Sequence, residues 1–333
     1  MLHVMKLVLS HGSALEFWRA KPARQQAQPC ATRLQALPES VVPDADAAAA
    51  ILDAGLDLRA PVQILVDATG RGARRDVLQV RSTSLLPTRS LLRVADDVLV
   101  VCPELCFLQM ASVLPLVDLV RVGYELCGTY AECDGIRYGC EPVTTPTKLC
   151  AYVRRAKGVD GVRGARRALR SVLPDSASPM ETVLVMLLCL PRMLGGYGLP
   201  APQLNGRVEV NRRRGALVSQ EFYVCDLLWR DAGVAIEYDS TTFHSGADRM
   251  ARDARRRGEL AALGVHIETV TSEQVFHWAQ TDKLAARMAK LLKVRVRQPD
   301  ARSFGERARL RAALLPLDGM QLPSPVRLSD VVC

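Results

Sequence analysis

Three carboxylates fall close together in one short stretch of this chain: Asp226, then Glu237 and Asp239. Between the first and the other two lie Arg230, Asp231, Ala232 and Gly233, flanked by apolar and aromatic runs at 222–229 and 234–239. Runs of that kind on either side of a short turn predict a β-hairpin. Side chains alternate faces along a strand. Val224, Asp226 and Leu228 are therefore expected on one face of the first strand, and Ala235, Glu237 and Asp239 on one face of the second. A loop at 230–233 pairs Trp229 with Val234, which sets Asp226 opposite Glu237 with Asp239 diagonal to both. Like charges opposed across a sheet destabilise it, and burial raises at least one of their pKa values. A divalent cation removes the conflict, and all-oxygen ligands suit Mg²⁺ or Mn²⁺. The competing reading is a solvated acidic face. Val234, Ala235 and Ile236, directly before the acids, favour a buried central strand.

Other residues near this hairpin have types suited to the same chemistry. Ser178, Pro179, Met180 and Glu181 open a predicted helix. Ser suits the N-cap, Pro the first helical position, and Glu at the third completes a capping box. Glu181 reads equally as that cap or as an acid presented to a metal site by a helix packed on the hairpin. His244 follows Asp239 by five residues. It reads as a proton-transfer group or phosphate contact, or as a surface turn histidine. Beyond it, a predicted helix at 247–263 carries Arg249, Arg252, Arg255, Arg256 and Arg257. Arg252 and Arg256 lie one turn apart, a spacing that suits contact with one phosphate backbone; a solvated basic face accounts for them as well.

The elements that must position these residues follow in the order αβββαβα. They are a helix at 179–190, strands at 207–210, 222–229 and 234–239, a helix at 247–263, a strand at 265–270 and a helix from about 271. That order makes a mixed sheet flanked by helices. Upstream, Ser13 and Glu16 read as a capping box that opens a helix through Trp18 and Arg19. A helix is expected at 46–54, strands at 61–66, 77–81 and 98–102, and one helix over 103–122. The helical stretch 145–173 carries Arg154, Arg155, Lys157, Arg163, Arg166, Arg167 and Arg170, a solvated face or a phosphate-facing one. Pro174 and Pro179 bracket a turn-rich run. The expected layout is a mixed α/β N-terminal domain at 1–144, a helical connector at 145–175, a mixed-sheet domain at 176–296 and a basic tail at 297–333.

Composition bounds the partners. The 333 residues, 49% of them apolar, suit two globular domains. The net charge of +9 and a pI near 9.2 favour a polyanionic partner, nucleic acid first. The charge is clustered: 281–311 holds ten Lys or Arg against Asp282, Asp300 and Glu306. The ten cysteines include no C-x-x-C pair, and the spacing of Cys127, Cys133 and Cys140 fits no common zinc pattern. No apolar run approaches bilayer length, and the first nine residues, broken by His3 and Lys6, do not read as a secretory signal. The expectation is a reduced, cytoplasmic protein with DNA as its partner and no membrane association.

The ordered set Glu181, Asn205, Asp226-Leu227-Leu228-Trp229, Ala235-Ile236-Glu237-Tyr238-Asp239, Phe243-His244, Arg252-Asp253, Arg256, Leu260, Gly264 and Thr271 resembles the very-short-patch-repair (Vsr)-like branch of the PD-(D/E)XK endonucleases. The likeness covers about 120 residues, and its motifs are specific as an ordered set. It implies an α/β fold with a restriction-endonuclease-like core and Mg²⁺- or Mn²⁺-dependent hydrolysis of DNA phosphodiesters. By the resemblance, Asp226 is the metal-binding acid of the first strand and Glu237 the acid of the (D/E)XK strand. Asp239 stands where many relatives carry Lys, His244 matches an active-site histidine, and Glu181 matches the helix acid. Without Lys, the attacking water needs the metal alone, His244 or a nearby Arg. In the N-terminal half, Val98-Leu99-Val100-Val101-Cys102-Pro103-Glu104-Leu105 and Leu116-Val117-Asp118-Leu119-Val120 resemble part of AbiEi-type antitoxin proteins. Two rival functions stand beside the nuclease: a non-catalytic, antitoxin-like DNA-binding regulator that reuses a nuclease fold, and a partner-binding protein of a defence system.

Overall fold

Leu7, Val8 and Leu9 form a buried strand inside a six-stranded sheet. The computed structural model describes residues 7–20, 27–29, 44–67, 77–82, 86–210, 221–239, 247–295 and 301–315. It is a mixed α/β architecture whose described residues divide into two compact units, 7–172 and 173–315.

In the first unit the order is β1 (Leu7–Leu9), α1 (His11–Arg19), β2 (Gln28–Pro29), α2 (Asp44–Asp53), β3 (Val62–Asp67), β4 (Val77–Ser82), β5 (Leu91–Arg93), β6 (Val98–Val101), α3 (Pro103–Met110), α4 (Leu116–Leu126), β7 (Tyr130–Cys133), β8 (Gly135–Tyr138), α5 (Pro146–Arg155) and α6 (Val162–Ala168). The large sheet runs β2-β5-β6-β1-β3-β4, with β1 parallel to β6 and antiparallel to β3.

Two local expectations in this unit are corrected. The capping box at Ser13 does not form, because α1 begins at His11 and Ser13 lies inside it. The amides of the first turn are bonded by side chains remote in sequence. Gln109 Oε1 accepts from the His11 N–H at 3.0 Å, and Gln63 Oε1 accepts from the Gly12 N–H at 2.6 Å. Ser13 Oγ accepts instead from the Gln63 N–H. The single helix expected over 103–122 is two, α3 and α4, separated by a turn that ends at Pro115. A proline has no N–H to continue a helix and pushes the residue before it out of helical geometry. The stretch at 145–175 contains α5 and α6, which pack against α3 and α4.

The second unit carries α7 (Pro179–Cys189), β9 (Gln203–Glu209), β10 (Phe222–Trp229), β11 (Val234–Asp239), α8 (Ala247–Ala262), β12 (His266–Thr271), α9 (Ser272–Phe276), α10 (Trp278–Leu291) and α11 (Ala301–Leu314). The last of these lies in the stretch read from sequence as a tail. It is anchored by Arg307, which is buried and bonded to Tyr197 and Asp282. The sheet order is β12-β11-β10-β9. β9, β10 and β11 are antiparallel neighbours, and β11 and β12 are parallel. A parallel pair needs a crossover connection, and α8 is that crossover. Its Leu260 enters one apolar cluster with Val208, Tyr223, Cys225, Leu228, Ala235 and Val265. α7 is buried along almost its whole length, as a helix apolar on all sides must be.

The β10–β11 hairpin turns through Arg230–Ala232 and Gly233, whose φ of +61° suits a residue without Cβ. The observed register pairs Trp229 with Val234, Leu228 with Ala235 and Leu227 with Ile236, as the loop length implies. On β9, Gly206 faces Leu228: a Cβ added there would stand 2.8 Å from Leu228 Cβ and Cδ2. Overpacking of this kind typically costs about 1–3 kcal/mol. Gly206→Ala is therefore expected to lower the unfolding midpoint in a urea titration, whereas an unchanged midpoint would show that the close approach is not held. Among the described residues no helix is long and apolar enough to cross a membrane.

Candidate active site

The sheet of the second unit opens into a fork where the acids stand. Beyond Leu227 and Ile236 the β10–β11 ladder stops, although β11 continues beside β12 to the pair of Asp239 with Thr271, and β10 continues beside β9 to the pair of Phe222 with Glu209. At the parting point Asp226 Oδ2 accepts the Tyr238 backbone N–H at 2.7 Å. A side-chain carboxylate thus takes a bond that a strand carbonyl would otherwise receive. The β9–β10 ladder also steps over this position, passing from Cys225 with Gly206 to Leu227 with Leu204. Simple alternation fails there: Leu228 packs in the cluster of Tyr223 and Cys225, not on the face expected from Val224 and Asp226.

Arg256 of α8 closes the fork. Its Nη2 donates to the Val224 carbonyl at 2.6 Å, satisfying a backbone acceptor on β10. Its Nε and Nη2 both donate to Glu237 Oε1 on β11, at 3.0 and 2.6 Å. One guanidinium therefore bridges the two strands where they separate. The helix that delivers it is fixed from below: buried Glu259 accepts the Tyr223 hydroxyl and the Arg255 Nε. The guanidinium of Arg256 also stands over the Tyr223 ring, 5.6 Å from its centre.

Glu181 comes from the start of α7. Its backbone N–H is capped by Ser178 Oγ at 3.1 Å, and its carboxylate Oε2 returns to the Ala177 N–H at 2.9 Å. The same oxygen accepts from Asn205 Nδ2 on β9 at 2.8 Å. Glu181 is thus a cap, and it is also tied to the strand that flanks Asp226.

The electrostatics show which groups share the site. Burial pushes Asp226 up to about 6; the Tyr238 N–H bond opposes this, the Glu181 and Glu237 carboxylates add to it, and Arg256 opposes it. These charges are therefore within reach of one another. Burial works against the Arg256 charge, but its bond to Glu237 and the surrounding negative field hold the guanidinium above its ordinary pKa. Burial, with Glu237 next, pushes the neighbouring Cys225 thiol up to about 12, so it is not a nucleophile near neutral pH.

Asp239 lies half-buried at the end of β11. Among the described residues, no group of three or more His, Cys, Asp or Glu side chains stands close enough to hold a metal ion as found. Arg252 is exposed on α8. His244 and the side chain of Arg249 lie outside the described residues. The sequence reading places Asn205 in the ordered motif set without a role, and reads Arg256 as a phosphate contact or part of a solvated basic face. The strand expected at 207–210 begins at Gln203 in the structure, which places Asn205 inside a strand, where that residue is depleted.

The chain is 31% identical over 151 residues to two Mycobacterium tuberculosis proteins, Uncharacterized protein MT2308 and Uncharacterized protein Rv2248. Each match covers 43% of this chain and 49% of the relative, so the chain spans about half the length of the curated relatives it matches. No family model matches the chain, and no solved structure matches it significantly.

Proposed function

We propose that the fork is the centre of a PD-(D/E)XK-type endonuclease that hydrolyses DNA phosphodiester bonds with Mg²⁺ or Mn²⁺. The observation that carries this reading is Asp226 and Glu237 at the parting strands with Arg256 wedged between those strands. The element order αβββαβ and the four-stranded mixed sheet around it agree with such a core. The donor set fits the metal: Mg²⁺ takes hard oxygens and typically uses one or two carboxylates, with water and substrate phosphate filling the rest. Asp226 and Glu237 would hold it, with Asp239 as the further acid of the same strand. When bound, the cation supplies charge stabilisation at the phosphate and a more acidic water.

The remaining roles belong to the chain. Glu237 is held in place by Arg256, and Asp226 by the Tyr238 amide. Arg256 is only partly exposed and presents a fixed cation at the fork, suited to a non-bridging phosphate oxygen. Arg252, Arg255 and Arg257, exposed along α8, hold the nucleic-acid backbone through charge. Asp226, titrating near 6, completes its ionisation only above that pH, so cation binding strengthens from pH 5 to 7.

The second reading is the non-catalytic, antitoxin-like DNA-binding regulator. The engagement of Glu237 by Arg256, without a preassembled metal cluster among the described residues, favours it. One experiment separates the two. The chain is incubated with end-labelled duplex DNA in Mg²⁺ and in Mn²⁺, beside Glu237→Gln. The nuclease reading expects strand scission that requires metal and falls about 10²–10³-fold in the variant, with DNA binding in EDTA retained by both. Tight, salt-sensitive binding without scission in either metal favours the regulator.

A further inference from the structure

Asn205 is an outlier in its own strand. It sits within β9 with φ of +45°, a conformation a non-glycine residue rarely adopts. It also sits where the β9–β10 ladder skips a pair, directly across from Asp226. Strain of this kind persists where the surroundings over-determine it, and it concentrates at functional sites. The amide explains what holds it: Nδ2 donates to the Asp175 carbonyl and to Glu181 Oε2, both at 2.8 Å. One side chain therefore links β9 to the segment before α7 and to the acid in its first turn.

Capping alone does not account for this arrangement. The Ala177 N–H already occupies Glu181 Oε2, and Ser178 already caps the Glu181 amide. A carboxylate that only capped α7 would need no second donor from a strained residue on another element. With Oε2 bonded twice, the rotation of the carboxylate is fixed, and among the described residues Oε1 is left as its available oxygen. Glu181 is only 7% exposed, so the group is held inside the structure and not in solvent.

We infer that Asn205 is a positioning residue of the fork: its amide fixes Glu181 so that Oε1 serves the same cation site as Asp226. This rests on the nuclease reading above. Outer partners that orient metal ligands typically account for about 10–100-fold in metal affinity.

The test is Mn²⁺ affinity of the metal-free full chain, measured by calorimetry for wild type, Asn205→Gly, Glu181→Gln and the double variant. Glycine accepts positive φ without strain, so Asn205→Gly keeps the fold and removes only the amide. It is expected to weaken Mn²⁺ binding at least about 10-fold, as Glu181→Gln does. Because Asn205 acts through Glu181, the double variant is expected to bind no more weakly than Glu181→Gln. Should Asn205→Gly lose its folded circular dichroism signal, Asn205→Asp, which replaces the donor with an acceptor beside Glu181, is expected to show the same loss. Wild-type affinity in a folded Asn205 variant, or additive losses in the double variant, overturns the inference while leaving the nuclease reading standing. Absence of Mn²⁺ binding by the wild type overturns both.

Discussion

In metal-free protein at pH 7.5, Asp226→Asn is expected to unfold at a higher temperature than the wild type. Asp226 titrates near 6 in the fold against 3.8 when unperturbed. The folded state therefore binds a proton more readily than the unfolded chain does. The stability associated with the neutral carboxyl is fully present below about pH 3.8 and is lost as pH rises through about 6. Two pKa units correspond to about 3 kcal/mol, an upper figure because the site is only partly closed to water. Asn keeps an oxygen that can accept the Tyr238 N–H and carries no charge beside Glu181 and Glu237. The advantage of the variant should be largest above pH 7 and should shrink steadily between pH 6.5 and 4. Melting curves across that range in EDTA measure it. A wild type that is more stable than Asp226→Asn at pH 7.5 would mean that Asp226 is favourably ionised, contrary to the like-charge cluster described here.

Arg256→Ala should have the opposite sign on stability and, on the proposed nuclease reading, a large effect on cleavage. The substitution removes three hydrogen bonds at once and leaves the Val224 carbonyl and Glu237 Oε1 without their donor. An orphaned buried acceptor costs about 1–3 kcal/mol, and the partial exposure of this pair places the loss toward the lower end. The remaining acids then face one another with less compensation, so Asp226 moves further above 6. Removing a preorganised donor from a reacting centre lowers turnover by about 10²–10³-fold. Arg256→Lys is expected to recover part of the stability and little of the rate, because an ammonium cannot bond to β10 and β11 with the geometry of a planar fork. Urea unfolding and Mn²⁺-dependent cleavage of the same preparations measure both effects. Full activity in Arg256→Ala would remove it from the site.

The hairpin was legible in the sequence because its signals are local. Apolar and aromatic runs on either side of a short turn mark β10 and β11 to the residue, and the loop at 230–233 sets the register of Trp229 with Val234. The fork was not legible. It arises because Asp226 bonds a backbone amide and Arg256, from a helix that follows both strands, fills the gap. Neither event has a signature in strand alternation, and the expected common face for Asp226 and Leu228 fails there for that reason. The same limit appears at α1. Ser13 and Glu16 have the spacing of a capping box, but Gln63 and Gln109, brought in by the large sheet and α3, bond the first turn instead. Over 103–122, continuous apolar spacing hid the break that Pro115 imposes. Local pattern thus specified element type well, whereas contacts between distant segments decided caps, breaks and the site.

On the proposed reading, the fork around Asp226 hydrolyses DNA with a divalent cation. The most direct measurement is the conversion of supercoiled plasmid to nicked or linear forms by the purified full chain in Mg²⁺ and in Mn²⁺, with Asp226→Ala alongside. Cleavage that requires metal and disappears in a folded Asp226→Ala protein is the expected result. Plasmid left intact by folded wild type in both metals, or cut equally by Asp226→Ala, would contradict it.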